Sequence, residues 1–420
     1  MSVLFQATCA PINIYLFKKI GVNQQPKISV KKNICIIYPN KSSSSETFIQ
    51  AHINNLPCNV FKLYGGWFPL YTEDDIPLTD YATKRQLIIF QRVKKKLGFG
   101  ISLFYNDYPK MALYNFLKVH KIDAVLAEYG LTGVAVMDVC EEANIPLIVH
   151  FHGFDAYVNS VLKENSTTYQ ILFQKAAKII VVSNDMLQQL RKLGAPDHKL
   201  KLNVCGVDIK KFSLSTEKIA APIFLFSGRF VNKKAPHLVI LCFSKTLLKV
   251  PDARLIMIGD GGLGSTQELY NGCRQLVKGL GIEYAVEFKG AMAHEDVAAV
   301  MKKSLVFIQH SVTTDTGDSE GTPVSLLEAC ASGLAVIGTK HAGIVDVIIH
   351  GVTGFLVNEY DLENTAAYMI QLANNIPLAQ SMGIKARQRI LDEYSLGQSI
   401  TNLWNTIDSS ITKPIVTIKG

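Results

Sequence analysis

The sequence predicts an α/β protein made of two doubly wound parallel sheets that face each other across a cleft. Three observations carry this. Short apolar runs bounded by glycine or polar turns recur along the chain with helix-like stretches between most of them, which is βα order. The runs fall into two series, divided by the polar segment SLSTEKIA after Phe212. A chain of 420 residues with 48% hydrophobic content also exceeds what one core usually organises, so two domains are expected.

The first series opens with NICIIYP, an apolar run short enough for a strand covered on both faces. It leads into YPNKSSSSETFI, where a serine-rich turn meets Glu46 at a helix start. After NVFKLYG, the segment TKRQLIIFQRVKKKLGF (residues 83–99) interleaves Leu87, Ile88, Phe90 and Val93 with six cations. That is the pattern of a basic amphipathic helix, and it fits either a solvated face or an anionic membrane surface. In AEYGLTGVAVM, Gly130 and Gly133 open a helix, where close packing is expected of them. IPLIVHFHGFDAY places His150 and His152 on one face of a strand end, followed by Gly153 and Asp155. Histidine there serves as a general base, a metal ligand or a hydrogen-bonded structural group, and no further metal ligands are evident nearby. KIIVVSN and KLKLNVCG complete the series, with Ser183 and Asp208 expected as structural caps.

The second series starts at PIFLFSGR and runs into GRFVNKKAP, so Arg229 and Lys234 emerge at the carboxyl edge of the second sheet, with Lys233 expected in solvent. A planar guanidinium and a compact ammonium together suit a diphosphate. ARLIMIGDGG ends in a glycine turn, Gly259 to Gly262, without a full GxGxxG, and alone it is a weak dinucleotide signal. VEFKG, SLVFIQH, LAVIGT and GFLV follow. The most informative stretch is DTGDSEGTPVSLLEACASGLAVIGTKHAGIVDVIIHGVTGFLV, residues 315–357. Pro323 suits the first helical turn, and Gly321 with Thr322 leaves backbone N–H groups free to meet an anion. Glu328 lies five residues on, roughly 8 Å at about 1.5 Å per residue, about the span from a diphosphate to a ribose. Its neighbours Leu326, Leu327, Ala329 and Cys330 are apolar, so it needs a polar partner. Glu320 sits just ahead of the helix, near a sugar.

Glu320 and Glu328, separated by seven residues, resemble the paired glutamates of the retaining, family-4 (group 1) nucleotide-sugar glycosyltransferases. The following TKHAGIVDVIIHGVTGFLV is similar to that family's glycine-rich turn, with Asp346 where glutamate is more common, and HGFD is similar to its HGxD motif. The likeness covers nearly all of the chain after residue 33, and SVTTDTGDSEGTPVSLLEA is nearest to bacterial exopolysaccharide and colanic-acid enzymes. It implies a GT-B fold of two Rossmann-like domains. Residues 1–212 would form the acceptor side, residues 213–395 the nucleotide-sugar-binding side, and a helix at about 396–420 would cross back onto the first. It further implies transfer of a hexose from a UDP- or GDP-sugar to a hydroxyl of a growing, lipid-linked glycan in cell-surface polysaccharide synthesis. The anomeric configuration would be retained without cofactor, metal or covalent protein nucleophile. By the same resemblance Arg229 and Lys234 hold the diphosphate, Glu320 the sugar hydroxyls and His152 the transferred sugar. Glu328, Gly321, Thr322, Pro323, Gly259 and Asp260 bind the rest of the donor, while Glu46, His150 and Asp155 are acceptor or sugar contacts.

Composition narrows the alternatives. A formal charge of +8 suits nucleic acid, an anionic membrane or a phosphorylated substrate, but aromatic-basic stacking motifs for nucleic acid are missing. A sugar-nucleotide epimerase of the same architecture stays open; a phosphorylase would be expected to show a cofactor lysine setting, which is not found. The eight cysteines are dispersed without a zinc or redox spacing, as in a reducing compartment. No run approaches about 18 apolar residues, and the opening MSVLFQATCAPINIYLFKKIG lacks the order of a signal peptide. A cytoplasmic protein is expected, with residues 83–99 as its route to the inner face of the plasma membrane.

Overall fold

A computed structural model of the chain describes residues 31–41, 46–81, 107–214 and 221–411. The N-terminal extension and the basic segment 83–99 lie outside these described residues, as does the chain beyond residue 411.

The first sheet contains β1 (Asn33–Tyr38), β2 (Asn59–Tyr64), β3 (Tyr71–Thr72), β4 (Ala124–Glu128), β5 (Leu147–His150), β6 (Lys178–Val181) and β7 (Leu200–Leu202). Their order is β3-β2-β1-β4-β5-β6-β7, parallel except for the antiparallel edge strand β3, which sequence reading missed because two residues carry no period. The second sheet contains β8 (Ile223–Ser227), β9 (Arg254–Ile258), β10 (Val286–Gly290), β11 (Val306–Gln309), β12 (Ala335–Thr339) and β13 (Gly354–Val357), all parallel in the order β10-β9-β8-β11-β12-β13. Chain order reverses between β1 and β4 and again between β8 and β11. Such switch points are where doubly wound sheets open a crevice at their carboxyl ends.

Alternation explains why the strands read as continuous apolar runs. In the first sheet Cys35, Ile37, Val125, Ala127 and Val149 pack into one core, while their neighbours Ile34, Ile36, Leu126 and Ile148 pack into another on the opposite face. In the second sheet Phe224 and Phe226 face one core and Leu225 the other. Both faces are covered by helices, so neither can be polar.

After the helix Ile376–Glu393, whose Ala386 and Ile390 pack under the second sheet, the chain returns to the first. There the helix Leu396–Ile411 buries Ile400, Leu403 and Ile407 against Ile34, Ile36 and Ile148. The crossing is tied down where Val207 N donates to Tyr394 O and Leu396 N to Val207 O. Cys35, Cys140, Cys205, Cys242, Cys273 and Cys330 are buried free thiols, and burial pushes those such as Cys330 up to about 12, consistent with packing rather than chemistry. Among the described residues no helix is long and apolar enough to cross a membrane.

Candidate active site

A cavity of about 560 Å³ opens between the carboxyl ends of the two sheets. The second sheet contributes Arg229, Lys234, Gly259, Asp260, Glu320, Gly321, Thr322, Pro323 and Glu328, and the first contributes Glu46, Trp67, Tyr129, His152 and Phe154. The two walls touch directly. Thr322 Oγ1 donates to the Val182 carbonyl at 2.7 Å, and the Asp346 carboxylate accepts from Asn184 N at 2.8 Å. Gly321 sits where this approach is tightest: a Cβ there would lie 2.5 Å from the His152 carbonyl oxygen and 2.6 Å from Val182 Cγ2.

On the second-sheet wall, Ser227 ends β8 and the backbone turns sharply, so that Arg229 is exposed to the cavity and forms no ion pair with a described residue. Gly259 makes this turn possible, because a Cβ on it would lie 2.0 Å from the Gly228 carbonyl oxygen. Lys234 is buried and pairs with Glu320 at 2.9 Å. Burial works to raise the Glu320 carboxyl, but Lys234 and Lys233 outweigh it and hold it down at about 2. Lys233 is not in solvent: it too is largely buried, bonding Asp318 at 2.9 Å and the Ser319 carbonyl at 3.0 Å, because the loop that carries it folds under residues 318–320. His341 completes the support, accepting at Nε2 from Glu320 N while its Nδ1 bonds Glu359 at 2.7 Å.

Pro323 occupies the N-cap of the helix Val324–Ala331 rather than its first turn, with ψ at 118°. The consequence favours an anion. Leu326 N and Leu327 N already bond the Pro323 carbonyl, which leaves Val324 and Ser325, both on the cavity wall, to offer their N–H groups. Glu328 is buried one turn further on, with His294 Nδ1 at 3.5 Å, and burial raises its carboxyl to about 7. That shift marks a carboxylate lacking a strong protein partner.

On the first-sheet wall His150 at the end of β5 and His152 just beyond it do stack, ring centroids 4.4 Å apart, but of the two only His152 reaches the cavity. His150 and Asp155 are fully buried beneath it, which takes both away from the sugar contacts expected of them. The Asp155 carboxylate is occupied by three backbone N–H groups, those of Gly130, His152 and Gly153, and so folds the HGFD turn. Glu46 faces the cavity at the N-cap of the helix Thr47–Asn55, yet its side chain makes no cap bond. It accepts instead from Tyr129 Oη at 2.9 Å and Asn40 Nδ2 at 3.2 Å. Trp67 and Phe154 stack nearly parallel at 6.4 Å, each about two-fifths exposed, an aromatic shelf that no sequence pattern announced.

The other feature missed in the sequence is Glu128 at the end of β4. It is fully buried and bridges two imidazoles, Oε1 to His52 Nδ1 at 2.7 Å and Oε2 to His152 Nε2 at 2.8 Å. Burial alone would raise its carboxyl, but His52 and His152 hold it well below the ordinary range. Glu128, His150 and His152 also place ligand atoms within 4.8 Å of one another, the donor set lacking in the sequence reading, although the Glu128 oxygens are already spent on hydrogen bonds. The one signal for it in the sequence is its place at a strand end, and βα order sets that end beside His150 in the β4–β5 register.

Comparison with known proteins fits this geometry. Residues 71–211 match the family described as glycosyltransferase family 4 and residues 210–389 the one described as glycosyl transferases group 1. WcaL of Escherichia coli K12, assigned as a colanic acid biosynthesis glycosyltransferase, is 28% identical over 67% of this chain and 69% of its own. The E. coli UDP-Gal:alpha-D-GlcNAc-diphosphoundecaprenol alpha-1,3-galactosyltransferase is 24% identical over 80% of this chain and 87% of its own. Among solved structures, Anabaena Alr3699/HepE in complex with UDP and glucose superposes with a TM-score of 0.70 at 16% identity, covering 90% of this chain and all of that one. At that identity the likeness speaks for the fold alone, which is GT-B.

Proposed function

The chain belongs to the group 1, family-4 glycosyltransferases, and on that premise we propose that it transfers a hexose from a UDP- or GDP-sugar, with retention, to a hydroxyl of a lipid-diphosphate-linked glycan. The pathway class is exopolysaccharide biosynthesis, to which the WcaL relative is assigned. One observation carries the donor half of this reading: exposed Arg229, buried Lys234, the open N–H groups of Val324 and Ser325, and Glu328 all line one cavity. Two cations and a helix start neutralise a departing diphosphate, while Glu328 takes the ribose hydroxyls. Glu320, kept ionised by Lys234, accepts from sugar hydroxyls, and His152 faces the same sugar from the opposite wall. No step calls for a metal or a protein nucleophile.

The acceptor half rests on the first-sheet wall. Glu46 and the Trp67–Phe154 shelf offer a carboxylate and flat apolar faces, which suit a pyranose ring with its polar edge and apolar face. The lipid-linked acceptor follows the diphosphoundecaprenol named for the galactosyltransferase relative, and the basic segment 83–99 would bring the enzyme to the anionic surface where such acceptors reside.

A thermal-shift screen against UDP, GDP and ADP and their sugars tests the donor, since a ligand that binds only the folded state raises the melting point. Products then decide the reaction. Free nucleoside diphosphate with an α-linked elongated acceptor from an α-linked donor supports the proposal; an isomerised sugar nucleotide would replace it with epimerisation.

A further inference from the structure

We propose that Glu128 is a positioning residue for His152: by accepting the Nε2 proton it holds the imidazole in one tautomer and one orientation, leaving Nδ1 as a hydrogen-bond acceptor toward the cavity. This rests on the reading above that His152 meets the transferred sugar. Two stacked rings and two hydrogen bonds constrain the residue. Phe48 stacks on it at a centroid distance of 4.0 Å and 27°, and His150 stacks on it at 4.4 Å and 15°. The backbone N–H of the same residue is fixed by Asp155 at 3.0 Å, and Nε2 is fixed by Glu128 at 2.8 Å. Nδ1 is the ring nitrogen that remains, on a residue that lines the cavity.

Glu128 can play this part because it is itself immobilised. Its other oxygen is held by His52 Nδ1 at 2.7 Å, and His52 is only 2% exposed on the helix Thr47–Asn55. An ionised carboxylate only accepts, so both nitrogens facing it must carry protons. His152 is thereby the Nε2–H tautomer and His52 the Nδ1–H tautomer. A free imidazole of this kind would divide itself between tautomers, so the buried anion decides which atom the sugar meets. A hydroxyl of the donor sugar can donate to Nδ1, and no other polar atom of that ring is left for it.

The test uses ¹⁵N-histidine-labelled full-length protein at pH 8, with the His152 signals assigned by their loss in His152→Asn. An Nε2–H pattern for His152 is expected. An Nδ1–H pattern, a doubly protonated ring or a nitrogen shifted by a bound metal overturns the proposal, and this readout needs no substrate. Glu128→Gln supplies the second arm. Glutamine offers one acceptor and one donor, so both imidazoles cannot keep their protons on the facing atoms, and at least one of the two residues must switch tautomer. Where His152 switches, UDP release from UDP-glucose and UDP-galactose should fall on the order of 10- to 100-fold in kcat, the scale on which orienting partners act, and where His52 alone switches kcat should hold. The donor KM and the melting-point rise given by UDP should stay within about twofold. Retained tautomers at both residues, or an unchanged kcat despite a switched His152 tautomer, overturn the proposal. If wild-type protein releases nucleoside diphosphate from none of UDP-glucose, UDP-galactose and GDP-mannose, the donor reading fails by itself and the nitrogen spectrum still decides the role of Glu128.

Discussion

The two walls of the cavity solve different problems with the same fold. The second-sheet wall gathers charge: Arg229 stands open, Lys234 is paired to Glu320, and Lys233 ties the loop of Asp318 beneath them. The first-sheet wall gathers orientation: one carboxylate, Glu128, spans two histidines, and Glu46 is held by Tyr129 and Asn40. Fixed charge suits a departing anion because it need not reorganise, whereas an oriented imidazole and an aromatic shelf suit discrimination of hydroxyl positions and ring faces. The pair teaches that a switch-point crevice sets only where a ligand lies, and the side chains at the strand ends set what is done to it.

Breaking the charged wall should have the larger effect. Arg229→Ala is expected to lower turnover roughly 100- to 1,000-fold, the scale lost with one preorganised charge-stabilising group. Steady-state kinetics checks it, and unchanged transfer would mean that the exposed guanidinium does not meet the leaving group.

The junction between the walls comes next. Gly321→Ala places a methyl 2.5 Å from the His152 carbonyl oxygen, so either the walls separate or the loop shifts. A loss of about 1–3 kcal/mol in denaturant midpoint analysis is expected, accompanied by reduced turnover, as for other overpacked sites. Retained stability with retained activity would show that this contact gives way easily.

Glu328 sharpens the comparison through pH. Its folded carboxyl is raised from the ordinary value to about 7 by burial, so between pH 4.5 and 7 the folded state holds a proton that the unfolded chain has released. The stability this group contributes is therefore complete below pH 4.5 and is lost as pH rises through 7. The whole effect is at most about 3 kcal/mol at 1.36 kcal/mol per unit. Nucleotide-induced stabilisation should move in the opposite sense, growing as pH rises through 7, because the ionised carboxylate accepts better from ribose hydroxyls. Melting curves of Glu328→Gln with and without UDP or GDP should lose both trends.

The smallest effects belong to the first wall. Trp67→Ala should raise the acceptor KM several-fold through lost stacking while leaving donor binding unchanged, which initial-rate kinetics over both substrates separates. Replacing Lys94, Lys95 and Lys96 with glutamine should reduce sedimentation with anionic vesicles; equal sedimentation removes the membrane-facing role of residues 83–99.

Legibility in the sequence followed contiguity. The unit from Asp315 to Val357 brings Glu320, the helix start and Glu328 within a few turns of one another, so spacing together with the family resemblance pointed to one site. The apolar runs likewise announced twelve of the strands, since a strand covered on both faces must be apolar along its length. Arg229 and Lys234 were legible through the family resemblance, since a Gly-Arg pair followed by lysines is by itself an ordinary surface pattern. Lys233 was misread, since nothing local foretells that Asp318, 85 residues on, lies over it.

What the sequence determined by itself is the doubly wound architecture, because it rests on periods of a few residues, and, through family motifs, which charged side chains were candidates for one half of the site. Tertiary structure alone decided the other half. Glu128 lies 76 residues from His52 and 24 from His152, and nothing but the parallel alignment of β4 with β5 and the packing of the helix Thr47–Asn55 brings the three together. The physical reason is burial: a carboxylate inside an apolar strand is tolerated only when distant partners meet it, and those partners are chosen by how the sheet is wound.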